Sequence, residues 1–220
     1  MNKISDHPGP IYVAITVLII FVIISLMILS TTRLYPAVVP DELLQNGWHE
    51  NVSNRTSESF FLNLDQTISY CYVNGNETFP ASLRVTTSKS IVLTPEKELL
   101  KRGETQIFST LEKQNHQMNK TLVKQGNRFL SNNHQTTYKI YNVTETDENT
   151  TYQHSLIIEV WNCGVSKTSI ICCGMAQQTH SSASNQHYEI FWKSIISDPT
   201  GTFGSFYQSN AGFIYNIICH

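Results

Sequence analysis

The longest apolar run in the chain is Ile11 to Ser30, IYVAITVLIIFVIISLMILS, twenty positions without a charge. At about 1.5 Å of rise per residue, a helix of that length spans about 30 Å, the thickness of a bilayer's hydrocarbon core. The pattern predicts a transmembrane helix. A cleaved signal peptide is the competing reading, with an apolar region of about 7–15 residues and a small-x-small site after it. Ile28-Leu29-Ser30 fits such a site poorly, so an uncleaved signal-anchor over 11–30 is expected, preceded by a short polar tail over 1–10.

After the anchor the apolar period is lost. Residues 31–58 carry Pro36, Pro40 and Asn46-Gly47, and they predict an extended spacer, with Arg33, Tyr35 and Trp48 placed to sit near lipid headgroups. β-Branched and aromatic residues then concentrate in Phe60–Leu64, Thr67–Val73 and Ser82–Leu93, broken by Asn74-Gly75-Asn76 and Pro80, which predicts strands joined by tight turns. From Thr94-Pro95-Glu96 the period becomes helical: Leu100, Ile107, Leu111, Met118, Leu122 and Phe129 recur in steps of seven and four. Gly103 and Gly126 mark the expected ends of two short helices within that stripe. Strand patterns return in Thr137–Val143, Ser155–Trp161, Thr168–Cys173, Tyr188–Ile196 and Gly212–Cys219. The fold class predicted is α+β: a β-dominated antiparallel ectodomain over 59–220 with a helical insert, plus one N-terminal transmembrane helix.

Charge and composition narrow the setting. With 15 Lys and Arg against 17 Asp and Glu, and no block of like charge, the chain lacks the basic footprint of a nucleic-acid binder. Six Asn-x-Ser/Thr sequons begin at Asn51, Asn54, Asn76, Asn119, Asn142 and Asn149, all C-terminal to the apolar run. The five cysteines, Cys71, Cys163, Cys172, Cys173 and Cys219, lie on the same side. Together they predict a cytosolic N-terminus and an extracellular or lumenal C-terminal domain, with two disulfides and one odd cysteine that could link two copies of the chain. A bridge from Cys163 to Cys172 or Cys173 across a hairpin, and a second from Cys71 to Cys219, is one such arrangement, though spacing does not fix connectivity.

No catalytic signature accompanies this layout. Gly-x-Ser-x-Gly, phosphate-binding glycine loops and His-Glu-x-x-His are all missing, and no nucleophile is placed beside His154, His180 or His187. The ligand types Cys163, Cys172, Cys173, Cys219 and His220 lack zinc-finger spacing, so no metal and no cofactor are expected. The feature with the character of a recognition surface is the Gly-rich loop that carries Phe203, Phe206, Tyr207 and Phe213, rigid anchors of the kind interfaces favour. Every sequon precedes Tyr152, which would leave the C-terminal part bare for a protein partner.

A very short inner tail, one N-terminal anchor, a glycosylated spacer and a single cysteine-containing head resemble small type II membrane glycoproteins of enveloped viruses. The resemblance is one of organisation. It implies a non-enzymatic binding protein at the virion envelope or host-cell membrane, in attachment, entry or immune evasion. The Trp-Ile-Gly-Leu core of C-type lectin domains is absent, as is an ending typical of tumour necrosis factor-like ligands. A membrane-anchored lumenal enzyme without a recognisable motif is the alternative.

Overall fold

The computed structural model describes residues 9–30, 34–60, 64–74, 81–112, 117–146, 151–178, 182–196 and 212–220. Helix α1 (Gly9–Ser30) is apolar on all sides, and its side chains from Tyr12 to Ile24 are exposed. Side chains are described there only from Tyr12 to Ser25, and among the described residues no helix is long and apolar enough to cross a membrane.

The rest is a β-dominated antiparallel domain with helices on both faces. Its strands are β1 (His49–Glu50), β2 (Thr56–Phe60), β3 (Asp65–Asn74), β4 (Ala81–Lys89), β5 (Gln117–Phe129), β6 (Gln135–Thr146), β7 (Thr151–Cys163) and β8 (Thr168–Gln178). They form one sheet in the order β1-β3-β4-β8-β7-β6-β5, with β2 sharing the outer edge of β3 with β1. Burial follows position in the sheet. β4 alternates buried and half-buried residues, whereas β7 and β8 are buried almost continuously because both their faces are covered.

Helix α2 (Glu96–Glu112) covers one face, where Leu99, Ile107, Phe108 and Leu111 pack on Tyr141, Leu156, Ile158 and Ile171. It starts where Thr94-Pro95 predicted, and Asn162 Nδ2 donates to the Thr94 carbonyl at 3.1 Å. Helix α3 (Ser182–Ile196) covers the opposite face, with Trp192, Ile195 and Ile196 against Leu83, Val85, Ile157 and Cys172. Each helix meets the sheet over a glycine. A Cβ on Gly103 would lie 2.5 Å from Ile158 Cγ2, and one on Gly174 would lie 2.5 Å from Ile195 Cγ2.

Several expectations are corrected. Residues 34–58 are not a free spacer: Ala37, Val39 and Trp48 lie in the core, the Ala37 amide donates to Thr87 Oγ1 at 2.8 Å, and β1 and β2 join the sheet. Trp48 packs edge-on against Phe213 at 4.8 Å between ring centroids, so it is a core residue rather than a headgroup anchor. The segment 94–129 is one helix followed by a strand. α2 runs straight through Gly103, which serves close packing and not a helix end. Met118, Leu122 and Phe129 fall on β5, where pairing with β6 overrides the helical stripe. Residues 188–196 form the second half of α3 rather than a strand, and 212–219 form a short 3-10 turn (Ile214–Asn216) followed by a single bridge from Ile218 to Val38. The strand expected at Phe60–Leu64 lies partly outside the described residues, and β2 ends at Phe60.

Candidate functional site

Of the four aromatic residues expected to form a recognition surface, the structure places one. Phe203, Phe206 and Tyr207 lie outside the described residues, while Phe213 is 1% exposed and sits in the core against Trp48. The structure instead gathers a cysteine and histidine cluster from three separate parts of the chain.

The first part is the turn between β5 and β6. The Leu130 amide donates to the His134 carbonyl at 3.0 Å, and Asn133 takes a positive φ of 62°, a conformation asparagine tolerates better than most residues. Asn132 Oδ1 accepts from the His134 amide at 3.2 Å, fixing the turn that presents the His134 ring. The second part is the end of β7, where Cys163 pairs with Thr168 across a four-residue turn. The third is the segment 212–220, clamped from both sides. Ser131 donates its amide to the Tyr215 carbonyl at 2.9 Å, Asn132 Nδ2 donates to the Ile217 carbonyl at 3.0 Å, and Val38 and Ile218 exchange two backbone hydrogen bonds.

These contacts bring one ligand atom each from His134, Cys163, Cys219 and His220 within 4.8 Å of one another. His220 Nδ1 is 3.5 Å from Cys163 Sγ and 3.6 Å from Cys219 Sγ, and the two imidazole rings meet edge-on at 5.4 Å. Both thiols are closed off from solvent, with Cys163 at 0% and Cys219 at 1% exposure. His134 Nε2 is buried and has no hydrogen-bond partner among the described residues.

The two thiols are electrostatically unlike. Burial pushes both up, but at Cys163 hydrogen bonds from the Ser166 side chain and backbone, with Cys219 and His220, outweigh it and hold the thiol below its ordinary value. At Cys219 burial and the neighbouring Cys163 act together, and its pKa rises to about 12. Burial lowers the pKa of His134, and His220 lowers it further. A thiol of this kind beside an imidazole has the elements of a nucleophilic pair. Complete burial, however, keeps any substrate from Cys163.

All five cysteines are buried and unbridged. The bridges drawn from spacing are corrected by the register. Cys172 stands opposite Glu159 and Cys173 opposite Ile158, several residues along the strand from Cys163. Cys172 belongs to the core under α3 and Cys173 to the core under α2, so the adjacent pair faces opposite sides of the sheet. Cys71 neighbours Cys173 across a cavity of about 70 Å³ that Arg84 and Ile107 of α2 also line, whereas Cys219, the partner expected for it, belongs to the core under α3. Burial raises the thiols of Cys71, Cys172 and Cys173, which leaves them unreactive.

Among the histidines considered for catalysis, His154 Nε2 lies 3.2 Å from Glu145 Oε2, and burial lowers its pKa in spite of that carboxylate. This is a hydrogen bond from a neutral ring rather than an ion pair. His180 lies outside the described residues, and the side chain of His187 is not described.

Four sequons are described. Asn54, Asn119 and Asn142 are exposed and Asn51 is half-buried; Asn76 and Asn149 lie outside the described residues. On the α2 face, Lys101, Glu104, Phe108, Lys120, Leu122 and Tyr141 line a groove of about 560 Å³ beside β5. Among the described residues no strand pairs with the outer edge of β5, and Leu122 and Val123 are exposed on it.

Sequence spacing missed the cluster because its ligands come from a turn, a strand end and a distant segment. His134 carried no local signal, and only the pairing of β5 with β6 and of Val38 with Ile218 brings it to the cysteines. Compared with known proteins, the chain matches no family profile and no curated protein.

Proposed function

We propose that the chain is a single-pass type II membrane glycoprotein whose sheet domain works outside the cytosol as a non-enzymatic binding protein. The observation that carries this reading is α1. The charge-free run Ile11–Ser30 lies on it, a length of sequence that would reach about 30 Å at about 1.5 Å per residue, and its described side chains from Tyr12 to Ile24 are exposed. Because it has no polar face, it suits lipid on every side better than it suits an interface. Thr16, its polar residue near the start, donates to the Tyr12 carbonyl at 2.8 Å and so carries no unmet hydrogen bond into lipid. Exposed acceptor asparagines at Asn54, Asn119 and Asn142 support a glycosylated domain beyond the anchor.

The partner surface we infer is the open edge of β5, which suits an extended segment of another protein adding as the next strand beside the groove under α2. Attachment, entry or immune evasion at a viral or host-cell membrane is the role that the layout implies.

The test uses the full chain expressed in cells. Membranes are extracted with alkaline carbonate, and the protein is run with and without endoglycosidase. The expected result is retention in the pellet and a stepwise shift after deglycosylation, with a photo-crosslinker at Val123, but not at Lys97, joining the chain to a partner on the glycosylated side. Release by carbonate together with a single unshifted band would overturn the reading.

A further inference from the structure

We propose that His134, Cys163, Cys219 and His220 form a structural zinc site. The donor set is the first reason. Two sulfurs and two imidazole nitrogens are what tetrahedral zinc takes in closed protein sites, and no ligand place is left for a substrate. Distances are the second. With zinc–sulfur bonds of about 2.3 Å and zinc–nitrogen bonds of about 2.0–2.1 Å, a tetrahedron puts sulfur and nitrogen about 3.6 Å apart. His220 Nδ1 stands 3.5 and 3.6 Å from the two sulfurs.

The third reason is what else those groups could do. A disulfide between Cys163 and Cys219 would use two of the four and give the imidazoles no role. It would also leave His134 Nε2 buried without a partner among the described residues. Charge also closes. Zinc displaces one proton from each thiol to solvent, and two thiolates and two neutral imidazoles around a divalent cation leave a neutral group whose sulfurs are buried.

Bound zinc would tie the β5–β6 turn, the end of β7 and the segment 212–220 together at one point. That segment places Phe213 on Trp48 and Ile218 on Val38, so the site would also secure the strap that follows the anchor.

The experiment uses the full chain in detergent, isolated once with and once without reductant, with Co²⁺ as the optical probe for zinc. The expected result is one zinc per chain as isolated and, after exchange, thiolate-to-cobalt charge-transfer absorption with the intense visible bands of tetrahedral coordination. His220→Asn, at an exposed position that folding tolerates, and Cys163→Ser should each weaken Co²⁺ binding at least about tenfold, with zinc competition following the same order. Cys172→Ser, in the core outside the cluster, should retain the charge-transfer band. The proposal is overturned if no charge-transfer band forms, if the band is unchanged in Cys163→Ser, or if peptide mapping of the chain isolated without reductant finds Cys163 joined to Cys219.

Discussion

At the residue scale, the buried Arg128–Glu159 pair ties the end of α3 to the sheet. Arg128 Nε and Nη2 reach the two Glu159 oxygens at 2.8 and 2.6 Å, while Nη1 donates to the Ile196 carbonyl at 2.8 Å and Thr136 Oγ1 donates to Glu159. One guanidinium thereby joins β5, β7 and the end of α3. Glu159→Gln leaves a buried cation without its counter-charge, and we expect a loss of about 3–5 kcal/mol in denaturant unfolding. Replacing both partners with Met and Leu should recover most of it, because neither buried charge then remains.

His154 gives the expected pH dependence. Its folded pKa is lowered, chiefly by burial, so between that value and the ordinary 6.5 the unfolded chain binds the extra proton. Stability from this group is present in full above about pH 6.5 and falls as the solution is acidified through the folded pKa. Urea midpoints measured from neutral pH downward should decline, and His154→Gln should flatten the decline. An unchanged slope in that variant would show that other groups set it. The burial of neither Arg128 nor His154 is legible in the sequence, since a single polar residue in a strand reads as solvent-facing until the elements that cover it are placed.

At the scale of elements, Gly103 decides how closely α2 approaches the sheet. Alanine is favoured over glycine inside a helix by about 1 kcal/mol, but forcing a methyl 2.5 Å from Ile158 Cγ2 costs about 1–3 kcal/mol. We therefore expect Gly103→Ala to lower the unfolding free energy by about 1 kcal/mol, and by no more than about 2 kcal/mol. Gly164→Ala, where a Cβ meets nothing within 4 Å, should stay within about 0.5 kcal/mol of the parent.

The strands β3, β4, β6, β7 and β8 were legible because each buries a run of β-branched and aromatic residues whose pattern is local. α3 was legible in principle, since Tyr188, Trp192, Ile195 and Ile196 follow helical spacing, but their high strand propensity pointed the other way. β5 was not legible. It lies at the sheet's edge with most of its residues exposed, so burial imposes no alternation on it and pairing with β6 alone makes it a strand. The cysteine and histidine cluster failed for the same physical reason at longer range, because its geometry exists only after three segments have docked.

For the whole molecule, the exposed apolar helix and the one-sided sequons both support the proposed type II topology. The strap of residues 34–48, folded into the core rather than extended, fixes the first part of the domain to the sheet. In the proposed topology the sheet domain passes through the secretory pathway. The most direct measurement is site mapping of the chain from cell membranes, with enzymatic deglycosylation in heavy-oxygen water and mass spectrometry of the peptides around Asn54, Asn119 and Asn142. Conversion to labelled aspartate is expected at these exposed positions, and finding all three as unmodified asparagine would contradict the proposed topology.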